Sequence, residues 1–232
     1  VKYGYRELRL ALERASARET TMRVAVGAIC RKLLAEFGVV IGGYVTQLGA
    51  VSADIPEEIG YAERFRLGEA SDVRCPVAIT AESMHEAIRQ AKIDKDTLGG
   101  IMEIVALNVP PGLGSHVQYD RKLDGRIIGA MGSIHAMKGA EIGEAFKQAG
   151  KPGTRVHDAI DISGDTLTRR TNRAGGLEGG ITTGEPIVVR VAMKPIATVL
   201  AGFESVNLAL GRPEPTTYER SDFCALPRAV PI

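Results

Sequence analysis

The run Leu12-Glu13-Arg14-Ala15-Ser16-Ala17-Arg18-Glu19-Thr20-Thr21 places two arginines, a hydroxyl and a carboxylate just ahead of an apolar helical pattern. Ser16 and Glu19 have the S-x-x-E spacing of a capping box. A helix start of this kind exposes backbone N–H groups and favours anions. Arg14 and Arg18 stand four residues apart, so on a continuous helix they reach toward the same side. The chemistry this suggests is recognition of a phosphate or a carboxylate. Taken alone, the run is more simply an ordinary capped helix with solvated arginines.

Other stretches carry weaker chemical signals. Gly112-Leu113-Gly114-Ser115 could cradle an anion on backbone N–H groups, but it lacks the lysine and spacing of a phosphate-binding loop. A tight turn between strand and helix explains it better. His116, Tyr119, Asp120 and Arg121, which follow, read as structural and capping residues. His135 and Ala136 fall between a helix and a strand, where a single histidine is usually packed and hydrogen-bonded. Gly175-Gly176-Leu177-Glu178-Gly179-Gly180 holds four glycines in six residues. It is either a flexible turn before a strand or a place where backbone approaches a flat cofactor closely. His157-Asp158 resembles part of a metal or proton-transfer site, but no further ligands stand at suitable spacing, so no metal is assigned.

The elements that must position these groups follow from periodicity. Arg6 to Glu13 reads as a short helix. Ala17 to Glu36 reads as a longer one, with Met22, Ala25, Val26, Ile29, Leu33 and Leu34 on one inward stripe and Gly38 as its C-cap. Val39 to Ser52 reads as a strand interrupted by Gly42-Gly43, and Ile55 to Val73 as surface loop with a short helix. Thr80 to Lys92 reads as a helix with a Thr80-x-x-Ser83 start and Met84, Ala87, Ile88 and Ala91 inward. Ile101 to Val109 is a strand pattern. Asp120 to Met131 is a helix turning Leu123, Ile127, Ile128 and Met131 inward. Lys138 to Ile142 is a short strand, Glu144 to Ala149 a brief helix, and Gly150 to Thr171 a loop-rich stretch. Pro186 to Met193 is a strong strand, Pro195 to Leu200 continues extended, and Phe203 to Leu210 is a further strand. Separated strands and helices point to α+β or a β-α-β sandwich.

Composition sets outer limits. A chain of 232 residues can bury a substantial core in one domain. Its net charge of +1 argues against nucleic acid or an anionic membrane as the main partner. No apolar run approaches membrane-spanning length. Cys30, Cys75 and Cys224 form neither a disulfide framework nor a zinc pattern and suit a reducing compartment. Cys30, in an apolar helical stretch, is expected in the core.

Four blocks together resemble the chorismate synthase family. They are RASARETTMRVAVGAI, from Arg14; PPGLGSHVQYDRKLDGRIIGAMGSIHAMKGAEIG, from Pro110 to Gly143; TNRAGGLEGGITTGEPIVVRVAMKPIAT, from Thr171 to Thr198; and RSDFCALP, from Arg220 to Pro227. They occur in the family's order across nearly the whole chain. The family begins upstream with a His-Gly-Glu-Ser-His-Gly type segment, carries a Gly-His-Ala-Asp type segment before the match, and continues into a helical C-terminal portion. Residues 1–232 are therefore expected to be one incomplete central domain of that fold, an α+β, β-α-β sandwich with helices packed between antiparallel sheets.

The resemblance implies elimination of phosphate from 5-enolpyruvylshikimate 3-phosphate to give chorismate, a 1,4-anti elimination requiring reduced FMN, with NADPH a candidate reductant. It implies that Arg14, Ala15, Ser16, His135, Ala136, Gly184, Lys194, Pro195, Ile196, Ala197, Thr198 and Arg220 contact the flavin. Arg14, Arg18 and Arg220 would bind substrate. Ser16 would orient flavin or substrate, and Asp222 would relay a proton. Lys194 brings a positive charge and Thr198 a hydroxyl, which suit a phosphate tail or the flavin's pyrimidine edge. His135 departs from the family's Asn or Gln, and Phe223 from a smaller residue. The family further implies a cytoplasmic homotetramer, which apolar strand faces such as Val188 to Val191 would suit. Two other functions stand beside this one: an FMN-binding fragment without turnover, because the family's catalytic histidines lie in the upstream segments, and a purely structural, oligomer-forming domain.

Overall fold

A computed structural model of the chain describes residues 2–5, 7–15, 17–164, 166–216 and 222–232. Helix α1 (Leu8–Ala15) and helix α2 (Ala17–Ala35) open it. Arg14 therefore lies in the last turn of α1 and Arg18 in the first turn of α2. The condition that one continuous helix carries both arginines is not met, and the two helices expected here are the ones found. Gly38, with φ +77, ends α2 and donates its N–H to Ala35 O at 2.9 Å, as a C-cap glycine does.

The inward stripe expected on α2 is not inward. Met22, Val26, Ile29 and Leu33 are exposed, and Cys30 is exposed with them rather than in the core. Periodicity marks a face able to be buried; burial itself needs a partner element.

Strand β1 (Val40–Leu48) runs unbroken through Gly42-Gly43, and the chain reverses instead at Gly49-Ala50 into β2 (Val51–Ser52), with Leu48 opposite Val51. Helix α3 (Tyr61–Ala70) is longer than its polar sequence predicts. Its Arg64 Nε donates to Ile59 O at 2.6 Å, and its Phe65 ring stands 6.3 Å from the buried Tyr44 ring. Helix α4 (Ala78–Ile93) starts ahead of Thr80, so the Thr80-x-x-Ser83 pair lies inside it; Ala81, Met84 and Ala91 are buried.

Strand β3 (Gly100–Leu107) leads by way of an irregular loop to helix α5 (Leu123–Gly132). None of Leu123, Ile127, Ile128 and Met131 on α5 is buried, against expectation. Strand β4 (Met137–Ile142) and helix α6 (Ala145–Ala149) follow. The stretch read as loop holds a hairpin of β5 (Ile160–Ser163) and β6 (Thr166–Arg169). Short strands β7 (Leu177–Glu178) and β8 (Ile181–Thr182) pair next, then β9 (Ile187–Met193). The strand expected over Phe203 to Leu210 is half of a hairpin, β10 (Glu204–Asn207) with β11 (Arg212–Pro215), and helix α7 (Leu226–Ala229) closes the chain.

Strands β2-β1-β3-β9-β4 form one five-stranded sheet in that order, and three antiparallel two-stranded ladders accompany it. The fold is α+β, as the sequence indicates. In β9 the residues Ile187, Val188, Val189 and Val191 are all buried. Each such side chain contributes roughly 1.5–3 kcal/mol of burial before the entropy of ordering it is counted. Val188 to Val191 is thus covered within the chain and offers no face to a partner subunit.

The chain divides into two compact units. The first is Val1–Gly43, Glu103–Val191 and Pro231–Ile232; the second is Tyr44–Met102 and Ala192–Val230. The first holds α1, α2, α5, α6, β4 to β8 and most of β9. The second holds α3, α4, α7, β2, β10 and β11.

Candidate functional site

In the first unit, α2 is tied to the turn between α5 and β4. On α2, Glu19 and Arg23 are one helical turn apart, and Arg23 Nε donates to both Glu19 oxygens at 2.9 and 3.0 Å. Arg23 also reaches Ser133, with Nη1 donating to Oγ at 2.8 Å and Nη2 to the carbonyl at 3.3 Å. His135 Nε2 stands 3.3 Å from Glu19 Oε2. That approach is close enough for attraction but is not aligned as a hydrogen bond, so the buried Nε2 has no aligned partner among the described residues. The hydrogen bond from Arg23 chiefly holds the Glu19 carboxyl below its usual range against the opposing pull of desolvation, and the charge of Arg23 and the proximity of His135 add to it. Glu19 thus faces Arg23 and His135, a role sideways to the capping box its spacing suggests. Ser16, the other half of that box, lies outside the described residues.

Ala136 has φ +66, a left-handed conformation that alanine adopts only when its surroundings hold it there. The residues on either side are restrained. Ser133 N–H donates to Gly129 O and Ala130 O, and Met137 N–H donates to Ile134 O at 3.2 Å. Arg14 and Ala15, at the end of α1, are exposed. Arg18 is exposed as well and forms an ion pair with Glu13.

The glycine-rich loop serves the chain's own packing. A Cβ on Gly175 would meet Gly143 N at 2.4 Å, and one on Gly176 would meet Pro186 O at 2.5 Å. A Cβ on Gly180 would stand 2.8 Å from Lys122 Cβ, and one on Gly114 would stand 2.3 Å from Gly180 O. Close backbone approach is the reason for glycine at these positions, and what approaches is protein. Gly112 N–H donates to Thr182 O and Leu113 N–H to Thr182 Oγ1, so these donors are spent on β8 rather than on an anion. His116, Tyr119, Asp120 and Arg121 are exposed.

Asp158 explains the His157-Asp158 pair. Its carboxylate accepts from Thr171 Oγ1, from Arg173 N–H at 2.9 Å and from Ala174 N–H at 2.8 Å, and so fixes the start of the glycine loop. Burial pushes this carboxyl up, but those hydrogen bonds and the Arg173 charge outweigh it and hold it below its usual range. Among the described residues, no three His, Cys, Asp or Glu side chains gather as a metal site. Gly184, with φ +92, is exposed beside the Pro111 ring.

In the second unit, the segment after β9 borders a pocket. Ala197, Thr198 and Val199 line a cavity of about 390 Å³ together with residues of β10 and β11 and Thr216. Thr198, Ser205, Asn207 and Thr216 give it polar walls, and Glu214 adds a carboxylate held by Asn207 Nδ2 at 2.8 Å. Lys194 and Pro195 are exposed, and Ile196 O accepts from Thr97 Oγ1 at 2.7 Å, which pins the segment to the connection between α4 and β3. Asp222 is exposed and its Oδ2 accepts from Arg228 Nη1 at 2.9 Å. Phe223 O accepts from Leu98 N–H at 2.8 Å. Arg220 lies outside the described residues.

The buried Nε2 of His135 has the Glu19 carboxylate as its polar neighbour at 3.3 Å, and the left-handed Ala136 follows it. Sequence reasoning missed Glu19 and Arg23 as a pair, although a glutamate four residues ahead of an arginine on a helix is a readable signal. It missed the role of Asp158 because its partners lie 13 to 16 residues away, beyond any local pattern.

A family model described as chorismate synthase matches residues 1–232. The chorismate synthase of Syntrophotalea carbinolica is 50% identical over 232 residues, covering 100% of this chain and 60% of that protein. The chorismate synthase of Desulforudis audaxviator is 51% identical over 233 residues, with the same coverage. A crystal structure of a chorismate synthase superposes with a TM-score of 0.78 at 49% identity, covering 84% of this chain and 60% of that one. The chain thus spans about 60% of the length of the curated relatives it matches. With the family match running from residue 1 to residue 232 and half of all positions shared with these relatives, the chain belongs to the chorismate synthase family.

Proposed function

We propose that this chain provides the flavin- and substrate-binding part of an enzyme that converts 5-enolpyruvylshikimate 3-phosphate to chorismate and phosphate. The observation that carries the reading is the joining of α2 to the His135-Ala136 turn. Arg23 and Ser133 are 110 residues apart in sequence, and their contact joins α2, which follows the flavin-assigned Arg14, Ala15 and Ser16, to the turn that carries the flavin-assigned His135 and Ala136.

The substrate bears two carboxylates and a phosphate, so cations must collect around it. Arg14, Arg18 and Arg220 supply charge-assisted hydrogen bonds to these anions. Ser16 orients flavin or substrate through its hydroxyl. Lys194 and Thr198 would hold the flavin's phosphate tail or pyrimidine edge, and Pro195, Ile196 and Ala197 would contact it. By the family resemblance His135, Ala136, Ala15 and Gly184 would also contact the flavin. Reduced FMN, when bound, supplies electron density that helps the phosphate depart. Overall, one C–O bond breaks with its electron pair leaving on phosphate, one proton leaves carbon, and no net oxidation occurs. Asp222 relays that proton at its carboxylate, whose Oδ2 accepts a hydrogen bond from Arg228 Nη1 at 2.9 Å. NADPH is the proposed reductant for the flavin. A cytoplasmic homotetramer is the proposed assembly, supported by the exposed apolar face of α2. No helix among the described residues is long and apolar enough to cross a membrane.

The test supplies the chain with reduced FMN and substrate under anaerobic conditions and follows chorismate formation. Turnover supports the enzyme reading. FMN binding without turnover supports the alternative of a flavin-binding portion, to which the family's upstream histidine segments must be added.

A further inference from the structure

We propose that Arg23 is a positioning residue: by gripping Glu19 and Ser133 together, it locks the turn that carries His135 and Ala136 and thereby sets the affinity of that turn for FMN. This rests on the flavin reading given above.

The turn holds an alanine at φ +66, which an unrestrained chain disfavours. Two contacts from one helix meet it. Arg23 holds Ser133 by side chain and carbonyl, and Glu19 stands beside His135. The bond polarities are consistent, because Ser133 Oγ donates to Ala130 O at 2.6 Å and so keeps lone pairs for Arg23. Arg23 and Glu19 side chains are 33% and 27% exposed, so the pair is less screened than a fully solvated one. The grip needs a guanidinium. Nε faces Glu19 while Nη1 and Nη2 face Ser133, and a single ammonium cannot span both. The flavin-facing surface would then be preorganised, and preorganisation raises affinity by removing an ordering cost at binding.

The test compares the chain with its R23A, R23K and S133A variants by two readouts. One is amide hydrogen exchange at residues 134–137 without flavin; the other is FMN titration followed by flavin fluorescence. R23A and R23K are both expected to speed exchange and to raise the FMN Kd about tenfold, the size of one charge-assisted hydrogen bond. S133A, at an exposed site, is expected to shift both readouts in the same direction by a few-fold, and it reads the same contact if the Arg23 variants do not fold. An R23K variant that matches the parent chain overturns the proposal, since charge alone then suffices. Faster exchange with an unchanged Kd also overturns it, as does a raised Kd with unchanged exchange. A parent chain that does not bind FMN defeats the flavin reading itself, and this inference with it.

Discussion

Gly175 and Gly143 pack backbone to backbone: a Cβ on Gly175 would lie 2.4 Å from Gly143 N and 2.7 Å from Gly143 Cα. Gly175 also has φ +62. Gly179 has a similar φ of +60 but open space where a Cβ would go. The two positions separate the cost of conformation from the cost of contact. Gly179→Ala is expected to lose about 1 kcal/mol of stability, the left-handed penalty alone. Gly175→Ala is expected to lose at least about 2 kcal/mol, because backbone must also move. Equal losses in denaturant titration would show that the close approach does not matter.

Asp158 organises the same loop from the other side. Its carboxyl is held below its unfolded value of about 3.9, so it stabilises the fold fully above that pH and loses the contribution as pH falls through the lower, folded value. Asp158→Asn, which retains a single acceptor oxygen, is expected to cost about 1–2 kcal/mol at neutral pH at this half-exposed site. It is also expected to flatten the acid limb of the stability profile. A variant with the parent's stability from pH 7 to pH 3 would remove Asp158 from the loop's support.

These two residues show what a sequence carries and what it leaves to the fold. The extents of α2 and β9 were legible, because a long 3.6-residue period and a run of β-branched residues leave few alternatives. The direction α2 faces was not, since Met22, Val26, Ile29 and Leu33 have the right spacing for burial yet are exposed. The β5–β6 hairpin was hidden by its short strands and polar flanks. Gly175 invited a cofactor reading, and only tertiary structure shows Gly143 where a flat ligand was imagined. His135 and Ala136 were singled out by family motifs alone. The contacts of Arg23 with Ser133 and of Glu19 with His135 arise only in the fold, across more than 100 residues of sequence.

Arg18 tests the substrate side. Its ion pair with Glu13 is exposed, so its loss should leave folding intact. In an active enzyme Arg18→Ala is expected to weaken substrate binding about tenfold to a hundredfold and to change FMN affinity much less. Unchanged substrate affinity, measured by titration, would return Arg18 to a solvated helix residue.

Asp222 tests the proton relay. Asp222→Asn keeps the size and part of the hydrogen bonding to Arg228 but cannot accept a proton at neutral pH. FMN binding should persist while turnover falls about 10²–10⁴-fold. Turnover within a few-fold of the parent would make Asp222 a surface partner of Arg228 and nothing more.

The most direct test of the account is titration of FMN into the 232-residue chain, read by flavin fluorescence, with Lys194→Ala as comparison. The account predicts saturable one-to-one binding that weakens about tenfold when the Lys194 charge is removed. No saturable binding up to about 1 mM flavin would contradict it.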